Sequence, residues 1–116
     1  MIEIVRNMRP HALAAAPFIN ELIRSQSPGD HLAATVVLQM RYMPEHMEWL
    51  ARRLVEERAF IGYQAASALQ IRTRVAGIQE CQTIQTAVQT AKADRARLGI
   101  VEDSLDRLID TILTVQ

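Results

Sequence analysis

Apolar residues recur three and four positions apart through most of this chain, the spacing that lines one side of an α-helix. The pattern is cleanest near the end, where Val101, Leu105, Leu108, Ile112 and Val115 share a face with Ile109 and Leu113 beside it. Glu102, Asp103, Asp106, Arg107 and Asp110 fall opposite, and an acidic first turn suits the positive end of the helix dipole. Upstream, Ile78, Cys81, Ile84, Val88 and Ala91 predict another helix, with a Gln- and Thr-rich outer face and Gly99 as its terminator. Before it, Ala65, Ala66, Ser67 and Ala68 make a helix small on every side, open to close approach by a neighbour. Phe60 and Tyr63 precede them as bulky anchors, and Gly77 is placed to cap the helix in the left-handed conformation after Ala76.

Prolines and a loop divide the first half. Pro10 suits the first position of a helix and Pro17 interrupts it, so a short or kinked helix is expected over 10–25 with Leu13, Phe18, Leu22 and Ile23 inward. Residues 1–9 read as an extended arm or a frayed turn. Ser25-Gln26-Ser27-Pro28-Gly29-Asp30 is the clearest loop, and Asp30 is the expected N-cap of the helix carrying Leu32, Val36, Met40 and Met43. Pro44 ends that helix and opens the next. Met47, Leu50, Leu54 and Val55 form the next seam, with Glu45, Glu48, Arg52, Glu56 and Glu57 outward and a Glu48–Arg52 pair four residues apart. The whole predicts an all-α fold, a compact bundle of five or six short helices in a single domain over 1–116.

Composition narrows the function without supplying one. With 4 Gly, 4 Pro and 4% aromatic residues in 116, the turn residues and strand formers of an all-β fold are missing. Thirteen basic residues balance thirteen acidic ones, spread nearly evenly along the chain, so no basic face for nucleic acid is expected. A surface without net charge has little self-repulsion and permits association with other proteins. Glu3 and Pro17 spoil the resemblance of the start to a secretory leader, and no apolar run is long enough for a membrane span, so a cytoplasmic protein is expected. Twelve of the thirteen basic residues are Arg, a bias associated with GC-rich bacterial genomes.

Few residues in the chain have the spacing of a catalytic or ligating set. His11, His31 and His46 lack a second histidine or a Glu-x-x-His pair at ligand spacing, so no metal or cofactor is implied. Asp103, Asp106 and Asp110 share a helical face, which reads as a solvated stripe rather than an acid–base pair, and Cys81 reads as a buried small hydrophobe. Trp49 is a core-edge side chain or an interface anchor. Tyr42, Met47, Trp49, Arg52 and Arg53 cluster about one helix junction and are the candidate partner contacts. The stripe Gln79, Gln82, Gln85 and Gln89 reads equally well as plain solvated surface.

The run from Trp49 to Leu69, and within it Glu57-Arg58-x-Phe60-x-Gly62-Tyr63-x-Ala65-Ala66, resembles small helical effector-associated domains of bacterial NTP-dependent conflict systems. Gln64 stands where that motif has His. The resemblance implies an adaptor with a death-like role in antiphage defence or signalling, recruiting or oligomerising an effector through homotypic or related helical contacts. Phe60, Gly62, Tyr63, Ala65 and Ala66 would then be structural, with contact made by Trp49, Arg52 and Arg53. The expectation is a non-enzymatic protein–protein interaction domain. The alternatives are a small helical enzyme or ligand-binding bundle with an internal pocket, and a helical-repeat fragment serving as a scaffold.

Overall fold

The computed structural model describes residues 16–115, and every regular element among them is helical. A 3₁₀ turn over Ala16–Phe18 leads into α1 (Ile19–Arg24), followed by α2 (Pro28–Met40), a second 3₁₀ turn at Pro44–His46, and α3 (Met47–Glu56). Then come α4 (Ala59–Val75), α5 (Ile78–Leu98) and α6 (Asp103–Leu113). The predicted all-α bundle of five or six helices is what forms. Expectations for residues 1–15, including Pro10, His11 and Leu13, lie outside the described residues. No helix among the described residues is long and apolar enough to cross a membrane.

α4 is the hub, packing against α2, α3, α5 and α6. Its small side chains make this possible: Gly62, Ala65, Ala66 and Ala68 are buried, which lets neighbouring backbones close on it. At Gly62 an added Cβ would lie 3.1 Å from Leu105 Cδ2 of α6 and 3.2 Å from the Arg53 carbonyl oxygen of α3. Leu69, Leu50, Leu54, Ile84, Leu105, Ile109 and Ile112 fill the space around it, each fully buried. This apolar surface is the main stabilising term of the fold, at about 25 cal/mol per Å² removed from water.

Several boundaries and faces differ from expectation. α2 starts three residues early: Ser27 is its N-cap, accepting from the Asp30 amide at 3.4 Å, with Pro28 pre-set for the first turn. Gly77 is not left-handed; Ala76 and Gly77 are both extended, and Gly77 opens α5. Gly99 does terminate α5 with φ 70°, the only positive φ among the described residues. Phe18, Ile78 and Val101, expected inward, are exposed because each lies in or beside the first turn of its helix, beyond the reach of the neighbouring helices. Tyr63 is also exposed and anchors no core, whereas Phe60 packs against the core edge.

Candidate functional site

The candidate contacts concentrate on α3, and the structure divides them between its two sides. Leu50, Arg53, Leu54 and Glu57 are spaced at three, four and seven, so all four turn inward. Arg53 is only 6% exposed. Its Nε donates to the Trp49 carbonyl at 3.1 Å and its Nη1 to Glu57 Oε1 at 2.9 Å, while its guanidinium carbon sits 4.5 Å from the Trp49 ring centre. Its Nη2 reaches Glu56 Oε1 at 3.3 Å.

His31 of α2 completes this cluster. Its Nδ1 faces the Glu57 carboxylate, its Nε2 donates to the Ser25 carbonyl at 2.6 Å, and its ring meets Trp49 edge-on at 5.6 Å. Ser25 Oγ in turn donates to Asp30 Oδ2 at 2.6 Å. The cluster ties the α1–α2 loop to the end of α3, and its charges are paired and hydrogen-bonded, as buried charges must be. Arg53, expected as a partner contact, is therefore placed as a brace inside the fold. Glu57, expected outward, is turned in with it, and Trp49 is the half-buried floor on which the guanidinium stacks. Nothing in the spacing of His31 and Glu57 announced their meeting, because they stand 26 residues apart.

The outer side of α3 is different. Arg52 is partly exposed and bridges to α5, its Nη1 donating to Asp94 Oδ2 at 2.7 Å and its Nε to Glu56 Oε2 at 3.0 Å. The expected Glu48–Arg52 pair is replaced by these, since Asp94 and Glu56 lie on the side toward which Arg52 leans. The Arg52 guanidinium holds the Asp94 carboxyl below its usual range. Beside this bridge α3 and α5 part to leave a groove of about 440 Å³ lined by Met47, Ala51 and Arg52 on one side and Thr83, Thr86 and Ala87 on the other. The threonine hydroxyls along it give their protons to their own helix, Thr83 donating to Gln79 O at 2.9 Å, Thr86 to Gln82 O at 2.9 Å and Thr90 to Thr86 O at 3.1 Å. Its lining is mainly apolar, from Met47, Ala51 and Ala87 between the threonines, with Glu48 and Arg52 also bordering it. Met47, itself buried, lines this recess.

Tyr42 sits apart from both, half-buried under Arg72, whose guanidinium carbon lies 4.9 Å from the ring centre. Arg72 is held there by a two-point bond to Glu80 at 2.7 and 2.8 Å. Burial, with the Glu80 charge adding to it and Arg72 opposing, pushes the Tyr42 phenol up to about 12. The five candidate contacts thus form no single surface: Arg52 is at the groove rim, Met47 at its floor, and Trp49, Arg53 and Tyr42 are engaged within the fold.

Two inward polar side chains differ from expectation. Arg95 is buried, with Nη1 donating to the Leu54 carbonyl and Nη2 to Asp106 Oδ1, both at 2.8 Å. The signal was present, because Arg95 continues the stripe Cys81, Ile84, Val88, Ala91 at the next helical position. Asp106, from the supposed solvated carboxylate stripe, is its counter-charge. Gln85, grouped with a solvated Gln face, instead donates to the Ile112 and Val115 carbonyls at 3.0 and 2.8 Å and ties down the end of α6. In the first two-thirds of α5, Gln79, Gln82, Thr83, Thr86, Gln89 and Thr90 are exposed and uncharged, and beyond them the outer face carries exposed Lys92 and Arg97. No family model, curated protein or solved structure matches the chain.

Proposed function

We propose that this chain is a non-enzymatic protein-interaction domain, an adaptor that recruits or oligomerises an effector in a bacterial signalling or defence system. The observation that carries this reading is the α3–α5 groove: a mainly apolar recess bordered by Glu48 and Arg52, whose threonine hydroxyls give their protons to their own helix, suits a partner's side chain better than an acid–base step on a substrate. The neutral overall charge favours the same reading, because it leaves association unopposed. So does the resemblance of Glu57–Ala66 to effector-associated domains, whose Gly62, Ala65 and Ala66 form the packed hub here while the exposed groove lies beside it.

The test is co-purification of the tagged chain with the products of its neighbouring genes, repeated with Thr83→Arg, which fills the groove from an exposed position. A complex that forms with the unaltered chain and is lost with Thr83→Arg is the expected result. Absence of any complex, together with a strict monomer in light scattering, overturns the reading.

A further inference from the structure

Ion pairs within the chain use up most of its charges, and those left over are sorted by sign. Glu45 and Glu48 are exposed, stand one turn apart where the second 3₁₀ turn runs into α3, and make no ion pair among the described residues. Glu48 borders the α3–α5 groove, and the Arg52 beside it is already met by Asp94 and Glu56, so the unmet charge there is negative. Arg41 and Arg74 are likewise exposed and without an ion pair among the described residues. Arg41 is next to the Tyr42 ring that Arg72 covers, and Arg74 follows Arg72 on α4. Glu80 is bound to Arg72 and α4 contains no acidic residue, so the unmet charge on this side is positive. Of the other unpaired charges, Glu21 and Arg24, and Asp103 and Arg107, stand as opposite signs one turn apart, which leaves Arg58 by itself.

Exposed apolar surface gathers where the unmet charge is positive. Four of the eight large apolar side chains exposed among the described residues, Tyr63, Ile71, Val75 and Ile78, lie on α4 or at the first position of α5. Ile71 is 54% exposed, Val75 73% and Ile78 79%, the last two more than any other apolar side chain here but Val101. A patch of this kind edged by charge marks an interaction site better than scattered single residues do. Ile71, Arg74 and Val75 leave α4 about 120–180° around from Gly62, the point at which α3 closes on it. The patch and the α3–α5 groove therefore face different ways, with α4 between the patch and α3.

We infer that copies of this chain associate head to tail, the Ile71–Arg74–Val75 patch of one copy seated in the α3–α5 groove of the next. This rests on the interaction-domain reading above and names the partner. Ile71 and Val75 cover Met47, Ala51 and Ala87, while Arg74 and Arg41 meet Glu48 and Glu45 at the border. The groove, about 440 Å³, falls in the size range of small-molecule sites and has room for two aliphatic side chains. Charge selects this arrangement over a two-fold one. Groove against groove would oppose Glu45 and Glu48 to their own copies, patch against patch would oppose arginines, and like charges facing each other are penalised. Only groove against patch sets opposite signs together. Because the two surfaces are separate, each copy that binds still offers a free groove or a free patch, so the assembly grows into an open chain or a ring instead of stopping at a dimer. The contact is small and charge-steered, so it dissociates on dilution and weakens with salt.

Two single substitutions in the full chain test the arrangement, Glu48→Arg at the groove and Arg74→Glu at the patch, both at exposed positions. In sedimentation velocity at low salt, the unaltered chain should pass beyond dimer as its concentration rises and return to monomer at high salt. Each variant alone should remain a monomer. An equimolar mixture of the two should form a dimer and nothing larger, because the intact patch of the Glu48→Arg chain meets the intact groove of the Arg74→Glu chain and no further matching pair is left. Thr83→Arg and Val75→Asp replace the two variants should either fold poorly, which circular dichroism would reveal. An unaltered chain that stays monomeric or stops at a dimer, variants that assemble as the unaltered chain does, or a mixture that does not associate overturns the head-to-tail assembly. If that happens while an unlike partner still co-purifies, the adaptor reading stands; if no partner is captured either, both fall.

Discussion

Arg52 and Arg53 are neighbours with the same side chain, leaving α3 about 100° apart, and they do opposite work. Arg53 points into the angle between α2 and α3, stacks on Trp49 and is fixed by Glu57 and His31 in a setting from which water is nearly gone. Arg52 points along the surface toward α5, where Asp94 and Glu56 hold it partly exposed to solvent. The sequence set them together as partner contacts; the phase of the helix separates them into a brace and a rim. Charge identity says little about role until the direction of the side chain is known.

The largest effect should follow from cutting the inner network. Glu57→Ala leaves the Arg53 guanidinium buried without its carboxylate and His31 without its partner, so unfolding in urea should show a loss of about 3–5 kcal/mol. A loss under about 1 kcal/mol would mean that water reaches Arg53 and that the inner and outer sides of α3 are not different in kind. Gly62→Ala comes next. The new methyl would press on the Arg53 carbonyl and on Leu105. Overpacking costs about 1–3 kcal/mol and better helix propensity returns about 1 kcal/mol, so a net loss on the order of 1 kcal/mol is expected in the same measurement.

Tyr42 gives a smaller effect with a defined pH window. Its phenol keeps its proton up to about pH 12 in the folded protein, whereas an unfolded tyrosine releases it near pH 10. The unfolded state therefore binds fewer protons across that interval, and stability falls as pH rises through it. Denaturation midpoints measured at successive pH values should decline more steeply for the unaltered protein than for Tyr42→Phe. Equal slopes would place the Tyr42 ring in solvent. The smallest change is expected from Arg52→Ala, because exposed ion pairs are weak and screened by salt; its urea midpoint should stay within the scatter of ordinary surface substitutions. A loss rivalling that of Glu57→Ala would erase the distinction between the two arginines.

Much of the fold could be read from local pattern. The helices Met47–Glu56 and Asp103–Leu113 and the stop at Gly99 follow from spacing, proline and glycine, which act over a few residues, whereas Pro28–Met40 stops at an Arg41 cap short of Pro44, leaving Met40 exposed and Met43 outside the helix. Ala65, Ala66 and Gly62 advertised a crowded hub because only small side chains tolerate it. What could not be read was which polar residues turn inward. Arg53 and Glu57 share the phase of Leu50 and Leu54, and Arg95 shares that of Val88 and Ala91, so periodicity contained the answer. A rule that sends every charge outward hid it. The partners were beyond any local pattern: His31 reaches Glu57 only because α2 and α3 both pack on α4. The candidate surface was half visible, since the Gln- and Thr-rich face of α5 is written plainly, but the groove beside it exists only where two helices diverge.

The central claim is that the inner network of Arg53, Glu57 and His31 holds the fold while the rim pair of Arg52 and Asp94 does not. Urea unfolding of Glu57→Ala beside Asp94→Ala tests it most directly, because the first opens the inner network and the second only the rim. A large loss of stability is expected for Glu57→Ala, and for Asp94→Ala one within the scatter of ordinary surface substitutions. Equal losses in both, or no loss in either, would contradict it.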